Sequence, residues 1–291
     1  MTVERREGHF ASRAASSPNR GEADVFYQTW TTPAARATLV LTHGLGEHSE
    51  SYWKVADDLA RIGYDVIAWD LRGHGRSEGK RGHVDQFEDY SHDLAQLLQY
   101  LKKSKHLTKP FVLMAHSMGG LVQFKYLISN EFASGPQPVA AVFSAPLLDV
   151  AMAVPVLKDA AAKLTFKIWP SLTLDNGIKD EDLVRDPEWL KTYDKDTLRH
   201  SKTSPALYFG MLDAMKDVQQ HADRVQLPVL VQAAGHDKIV STPAIQGLFA
   251  QLGSSDKELI VYDESYHEIY NDLDRSEAIS DLDLFLKRVI P

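Results

Sequence analysis

The feature that most constrains the fold is the run Ala115-His116-Ser117-Met118-Gly119-Gly120. It follows an apolar stretch, Phe111-Val112-Leu113-Met114, and precedes a helical pattern from Leu121 to Ile128. A serine placed where a buried strand turns sharply into a helix forms a nucleophile elbow, which lifts the hydroxyl above the sheet. Small residues must flank that serine, because the strand and helix backbones approach closely there. The usual pattern is Gly-x-Ser-x-Gly, and Ala115 stands in place of its first glycine.

A serine is no nucleophile at neutral pH without a base. Elbow serines are followed in the chain by an acid and then a histidine. Both are present in that order. Pro228 to Gly235 reads as a buried strand, followed by His236-Asp237-Lys238-Ile239-Val240. Glu258 to Asp263 reads as the next strand, followed by Ser265-Tyr266-His267-Glu268. Asp237 and His267 therefore sit just past strand C-termini, where parallel sheets build their sites. The expected roles are attack by Ser117, proton transfer by His267, and orientation of the imidazole by Asp237. Asp263 and Glu264 lie close to His267 in sequence and compete with Asp237 for the acid role. His236 and His43 read as structural.

An oxyanion needs preorganised donors, each contributing roughly 3–4 kcal/mol to lowering the barrier. Thr38 to Thr42 reads as a strand, and His43-Gly44-Leu45-Gly46 follows it. The backbone N–H groups of Leu45 and Met118 are the expected donors.

Apolar runs at Leu39–Leu41, Val66–Trp69, Phe111–Ala115, Val139–Phe143, Val229–Val231 and Leu259–Tyr262 are too continuous for burial on one face. They suit a mostly parallel, doubly wound α/β sheet covered on both sides. Phe87, Tyr90, Leu94, Leu97, Leu98 and Leu101 recur at helical spacing. Thr242-Pro243 reads as a helix start, with Thr242 as cap and Gly253 as the stop. Leu282, Phe285, Leu286 and Val289 line one face of a last helix. Ala23 to Trp30 reads as a strand at an antiparallel edge, and the first twenty residues as either a hairpin or a partly disordered arm. Between the strand ending near Ala145 and the helix starting near Ser204, the strand–helix rhythm breaks into a stretch rich in helix formers. There Leu157, Ala160, Ala161, Leu164 and Ile168 form a stripe at helical spacing, extended by Val154, Phe166 and Trp169.

Other chemistries are disfavoured. Gly73-His74-Gly75 lacks the third glycine of a dinucleotide fingerprint, and no phosphate-binding Gly-x₄-Gly-Lys-[Ser/Thr] occurs. Arg72 to Ser77 reads instead as a turn behind the oxyanion loop. Twelve histidines are scattered without a metal-binding spacing, so neither a metal nor a cofactor is expected. The net charge of −8 speaks against nucleic acid and against purely electrostatic binding to anionic lipid. There is no cysteine, hence no disulfide framework. Residues 1–20 carry no apolar core of a secretory signal, and no apolar run is long enough to span a bilayer. A cytoplasmic location is the expectation, with or without peripheral membrane contact.

Five stretches resemble the monoacylglycerol lipase and lysophospholipase branch of the α/β-hydrolases. They are His43-Gly44-Leu45-Gly46-Glu47-His48-Ser49, Asp70 to Gly79, Ala115 to Gly120, Gly235-His236-Asp237 and Ser265-Tyr266-His267-Glu268. The resemblance runs from about Glu22 to the C-terminus and is weakest between Leu147 and Ser204. It implies an α/β-hydrolase core over 1–146 and 205–291, with 147–204 inserted as a helical cap over the active site. It implies a serine esterase acting through an acyl-enzyme on a single-chain acyl lipid, a monoacylglycerol first. A lysophospholipase, a short-chain carboxylesterase, a small-peptide aminopeptidase and a non-catalytic binding module are the alternatives. The cap is expected to line an acyl channel, and either to touch a membrane or micelle transiently or simply to pack on the core. Glu47, His116 and Tyr193 resemble residues at the head-group end of the family pocket. For Tyr193 the match is to a cap motif Tyr-x-x-Asp-Pro-Leu, in which Thr197 here replaces the proline. Oligomeric state is not readable from the sequence.

Overall fold

Strands form where the sequence is apolar on both faces. In a computed structural model describing residues 2–14, 22–151 and 163–290, eight strands make one sheet in the order β1-β2-β4-β3-β5-β6-β9-β10. These are β1 (Glu4–Ser12), β2 (Ala23–Thr31), β3 (Ala37–Thr42), β4 (Tyr64–Trp69), β5 (Phe111–His116), β6 (Ala140–Ser144), β9 (Val229–Ala234) and β10 (Lys257–Tyr262). Two short strands, β7 (Leu174–Asp175) and β8 (Lys202–Thr203), pair apart from it. The six strands from β4 to β10 run parallel. Every residue of β3, β4, β5, β6 and β9 is buried, as strands covered on both faces require.

The helices supply that cover. They are α1 (Trp53–Arg61), α2 (Glu88–Lys103), α3 (Met118–Leu127), α4 (Asn130–Ser134), a helical segment α5 over 163–168, α6 (Pro187–Tyr193), α7 (Pro205–Gln220), α8 (Thr242–Gln251) and α9 (Arg275–Val289). The stripe on α2 is buried along its whole length. Its ends carry Glu88 and Asp89 first and Lys102 and Lys103 last, which complements the helix dipole.

Two local expectations are corrected. β2 is not the edge: β1 pairs outside it, from Glu4 against Thr31 to Ser12 against Ala23. Physically, β2 buries Val25 to Trp30, whereas β1 exposes Glu4 to Glu7, and charged residues blunt an edge against further pairing. For α8 the cap is Ser241, whose side chain accepts the Ala244 N–H at 3.3 Å. Thr242 instead donates its hydroxyl to the Ala234 carbonyl at 2.6 Å. α8 ends at Gln251, and Gly253 serves a different need. A Cβ there would meet the Asp223 carbonyl oxygen at 1.9 Å.

Val154, Leu157, Ala160 and Ala161 lie outside the described residues. Of the same stripe, Leu164, Phe166, Ile168 and Trp169 are exposed.

Candidate active site

β5 ends at His116 and α3 begins at Met118, so Ser117 alone makes the turn, at φ 51° and ψ −122°. Such a conformation costs a non-glycine residue about 1–3 kcal/mol. The neighbours hold it: Ser117 N–H donates to the Ser144 carbonyl at 3.0 Å, and the Ser117 carbonyl accepts the Leu147 N–H at 2.9 Å. The small flank has a steric reason. A Cβ on Gly119 would stand 2.3 Å from the Thr42 carbonyl oxygen, so any side chain would drive α3 off β3.

Three of the residues singled out in the sequence meet above this turn. Ser117 Oγ lies 2.9 Å from His267 Nε2, and His267 Nδ1 lies 2.8 Å from Asp237 Oδ2. A carboxylate only accepts, so Nδ1 carries the imidazole proton and Nε2 is left to accept from the serine hydroxyl. The other Asp237 oxygen accepts the N–H groups of Ile239 at 2.8 Å and Val240 at 2.9 Å. The Asp237 and His267 side chains are closed to solvent. Burial works to lower the His267 pKa, but the facing Asp237 carboxylate overrides it and holds the pKa above its ordinary value. Burial likewise works against ionisation of Asp237, and His267 with the two backbone N–H groups draws its pKa down. Asp263, the sequence competitor, is exposed. Its backbone carbonyl takes His236 Nδ1 at 2.7 Å.

A sequence model of the family described as serine aminopeptidase, S33, matches residues 33–274. The chain belongs to this family. It is an α/β-hydrolase of the lipase and esterase kind. It is 30% identical over 267 residues to a monoacylglycerol lipase of Mycolicibacterium smegmatis, covering 90% of this chain and 92% of the relative. It is 27% identical to phospholipase YtpA of Bacillus subtilis, covering 86% and 95%. Against an abhydrolase domain-containing protein of Dictyostelium discoideum it is 30% identical over 87% of its own length, but spans 26% of that protein. A solved monoacylglycerol lipase from Paleococcus ferrophilus superposes with a TM-score of 0.76 at 28% identity, covering 99% of both chains. The resemblance to the monoacylglycerol lipase branch is thereby borne out.

Around the S33-type elbow lies a cavity of about 240 Å³ lined by Leu45, Glu47, His116, Ser117, Tyr193, Arg199 and Glu268 among others. Leu45 follows the His43-Gly44 turn. Met118 opens α3, so its N–H has no acceptor within the helix. His43 is neutral and structural: burial lowers its pKa to about 4, Nδ1 donates to the Gly44 carbonyl at 2.7 Å, and Nε2 accepts the Leu71 N–H at 2.9 Å. Its ring packs on His74 with centroids 5.3 Å apart. The Arg72–Ser77 turn thus does stand behind this loop.

Glu47 braces the same loop. Its Oε1 accepts the Gly44 N–H and, at 2.8 Å, the Tyr52 hydroxyl, while Oε2 is buried without a hydrogen-bond partner among the described residues. Burial, with Glu268 nearby, pushes the Glu47 pKa up to about 7. His116 packs against His267 with ring centroids 4.6 Å apart. Burial and the His267 charge lower its pKa to about 3, so it is neutral. Tyr193 donates to Glu268 Oε2 at 2.6 Å.

Sequence reasoning missed Arg199 and assigned no role to Glu268. The Arg199 guanidinium lies 3.8 Å from the Tyr193 ring centroid and donates to Glu268 Oε1 at 3.4 and 3.5 Å. Asp196 was visible only as part of the cap motif. It ties to His48 at 2.8 Å and accepts the Leu198 and Arg199 N–H groups, a local turn that Thr197 does not disturb. A pair formed between an irregular segment and the residue after His267 leaves no periodic signal; only the nearness of Arg199 to that motif points to it.

Proposed function

We propose that the protein hydrolyses carboxylic esters of single-chain acyl lipids, monoacylglycerol first, through an acyl-enzyme on Ser117. The observation that carries this reading is the unbroken relay from Ser117 Oγ through His267 to Asp237, at 2.9 and 2.8 Å, on the wall of a polar cavity. Ser117 attacks the ester carbonyl as His267 Nε2 takes its proton. The tetrahedral oxyanion accepts from the Leu45 and Met118 N–H groups. His267 then protonates the leaving alcohol, and in the second half takes a proton from the water that attacks the acyl-enzyme. Asp237 holds the tautomer and balances the imidazolium.

Glu47, His116 and Tyr193, joined by Arg199 and Glu268, make a hydrogen-bonding wall suited to a hydroxyl-rich alcohol. Asp180, Asp196, Glu47 and Glu268 stand against one arginine on the lining. That balance disfavours a phosphate, which ranks a glyceryl ester above a lysophospholipid. The segment 147–204 is read as the cap, with its exposed Leu164, Phe166, Ile168 and Trp169 directed to the acyl chain or to a lipid surface.

The test is acyl release from monoolein, lysophosphatidylcholine and a butyryl ester side by side, with Ser117→Ala as control. Dominant turnover of monoolein that the variant abolishes is expected. Equal activity in the variant overturns the mechanism, and turnover confined to the butyryl ester overturns the lipid assignment.

A further inference from the structure

Four consecutive residues, Asp182 to Arg185, reach both loops that carry the partners of Ser117. Lys238, next to Asp237, donates from Nζ to Asp182 Oδ1 at 2.7 Å. Glu268, next to His267, donates its N–H to the Leu183 carbonyl at 2.9 Å. On the other side of His267, Tyr266 donates its N–H to Asp272 Oδ2 at 2.9 Å. That carboxylate is held in turn by Arg185: the Arg185 N–H donates to Oδ1 and Nε to Oδ2, each at 2.9 Å. Arg185 Nη2 also reaches Asp274 Oδ2 at 2.6 Å. Asp274 accepts the Ser265 hydroxyl. His267 is therefore bracketed by two backbone N–H groups whose acceptors are supplied or fixed by this one segment.

The Asp272 side chain is closed to solvent, and that of Arg185 is partly exposed, at 21%. Arg185 is the only cation paired with Asp272 among the described residues, and a buried carboxylate stripped of its cation shifts, finds water or takes up a proton. Any of these would move the Tyr266 N–H, and with it the imidazole. The site tolerates little movement, because a misplacement of about 1 Å can cost on the order of a hundredfold in rate.

We propose that Arg185 is a positioning residue for His267, so that docking of the Asp182–Arg185 segment sets the alignment of the base. It acts through Asp272 and the Tyr266 backbone and does not touch substrate. This goes beyond the ester-hydrolase reading and rests on it only for the role of His267.

The experiment compares Arg185→Ala and Arg185→Lys with the unaltered protein by two readouts. One is kcat and KM on p-nitrophenyl butyrate, a substrate too short to need the acyl channel. The other is the low-field Nδ1–H proton resonance of His267, seen by NMR without substrate. Arg185→Ala should lower kcat roughly ten- to a hundredfold, leave KM within about twofold, and broaden or shift the resonance. Arg185→Lys keeps a cation beside Asp272 and should recover most of kcat and the resonance. An unchanged resonance with kcat within about twofold in Arg185→Ala overturns the proposal, whatever happens to the melting temperature. If Arg185→Ala does not fold, Arg185→Gln takes its place, because it removes the cation while keeping most of the side chain's stem: a resonance and kcat both unchanged in it would overturn the proposal, and a loss of both supports it. If the unaltered protein turns over no ester, the resonance still decides, and the failure belongs to the proposed function.

Discussion

Glu47 accepts the Tyr52 hydroxyl at 2.8 Å through one carboxyl oxygen, while the other oxygen is buried with no hydrogen-bond partner among the described residues. Half of this carboxyl is satisfied and half is not, which is why burial raises its pKa from an ordinary 4.5 to about 7. The linkage has a definite sign. Between about pH 4.5 and 7 the folded protein keeps a proton that the unfolded chain has released, so this group's contribution to stability falls as pH rises through that window and levels off above it. Glu47→Gln imitates the protonated form and should flatten that decline. Thermal unfolding at several pH values checks it; an identical slope in both proteins would assign the pH dependence elsewhere.

Ester turnover should rise with pH along a limb set by His267, because the imidazole must be neutral to take the Ser117 proton. Asp237 holds its pKa above 6.5 despite burial. The limb in kcat/KM should therefore lie above that value, and in Asp237→Asn it should move to lower pH. A limb below pH 6 in the unaltered protein would contradict the geometry of the pair.

The acid itself can be tested by contrast. Asp237→Asn should cost roughly 10⁴ in kcat, since an amide no longer enforces the tautomer. Asp263→Asn should leave kcat within about twofold, because among the described residues Asp263 is engaged through its backbone carbonyl, at His236. Steady-state kinetics of the two variants on one ester gives the answer, and the reverse order would move the acid to Asp263.

Which parts of this were legible in the sequence follows from the physics of each. The parallel strands were readable because burial on both faces writes continuous apolar runs, as in Phe111 to Met114. Ser117, Asp237 and His267 were readable because each follows such a run. β1 was not, since a charged edge strand such as Glu4 to Glu7 resembles any solvated segment. Thr242 was mistaken for a cap because its neighbour Ser241 competes for the same N–H groups, and only the backbone angles choose between them. The polar wall of the cavity depends on Arg199 meeting Glu268 across 69 residues, a separation that no local pattern encodes.

Exposed apolar side chains on α5 and just after it should matter for lipid surfaces. Leu164, Ile168 and Trp169 are more than half exposed, and no helix among the described residues is long and apolar enough to cross a membrane. Changing all three to serine should weaken partitioning onto phosphatidylcholine vesicles, read by co-flotation, by roughly a hundredfold or more, at about 1.5–3 kcal/mol of lost burial per large side chain, and leave hydrolysis of a water-soluble ester intact. Unchanged flotation would mean that these residues serve the cap's packing instead.

The pair of Arg199 and Glu268 yields the sharpest stability prediction. Both side chains are almost closed to solvent. Glu268 has other hydrogen bonds, from Tyr193 at 2.6 Å and Asn271 at 2.7 Å, both to Oε2. Its charge, however, is balanced chiefly by Arg199, which is first among the groups that pull its pKa down against burial. Arg199→Leu should therefore cost about 3–5 kcal/mol, the usual penalty for stranding a buried charge. Glu268→Gln in the same chain should restore most of it, because an amide oxygen at Oε2 can still accept from Tyr193 and Asn271 while the charge is gone. Urea unfolding of the two single variants and the double variant closes the cycle. A double variant as unstable as Arg199→Leu would mean that the arginine stabilises through its stacking on Tyr193 rather than through its charge.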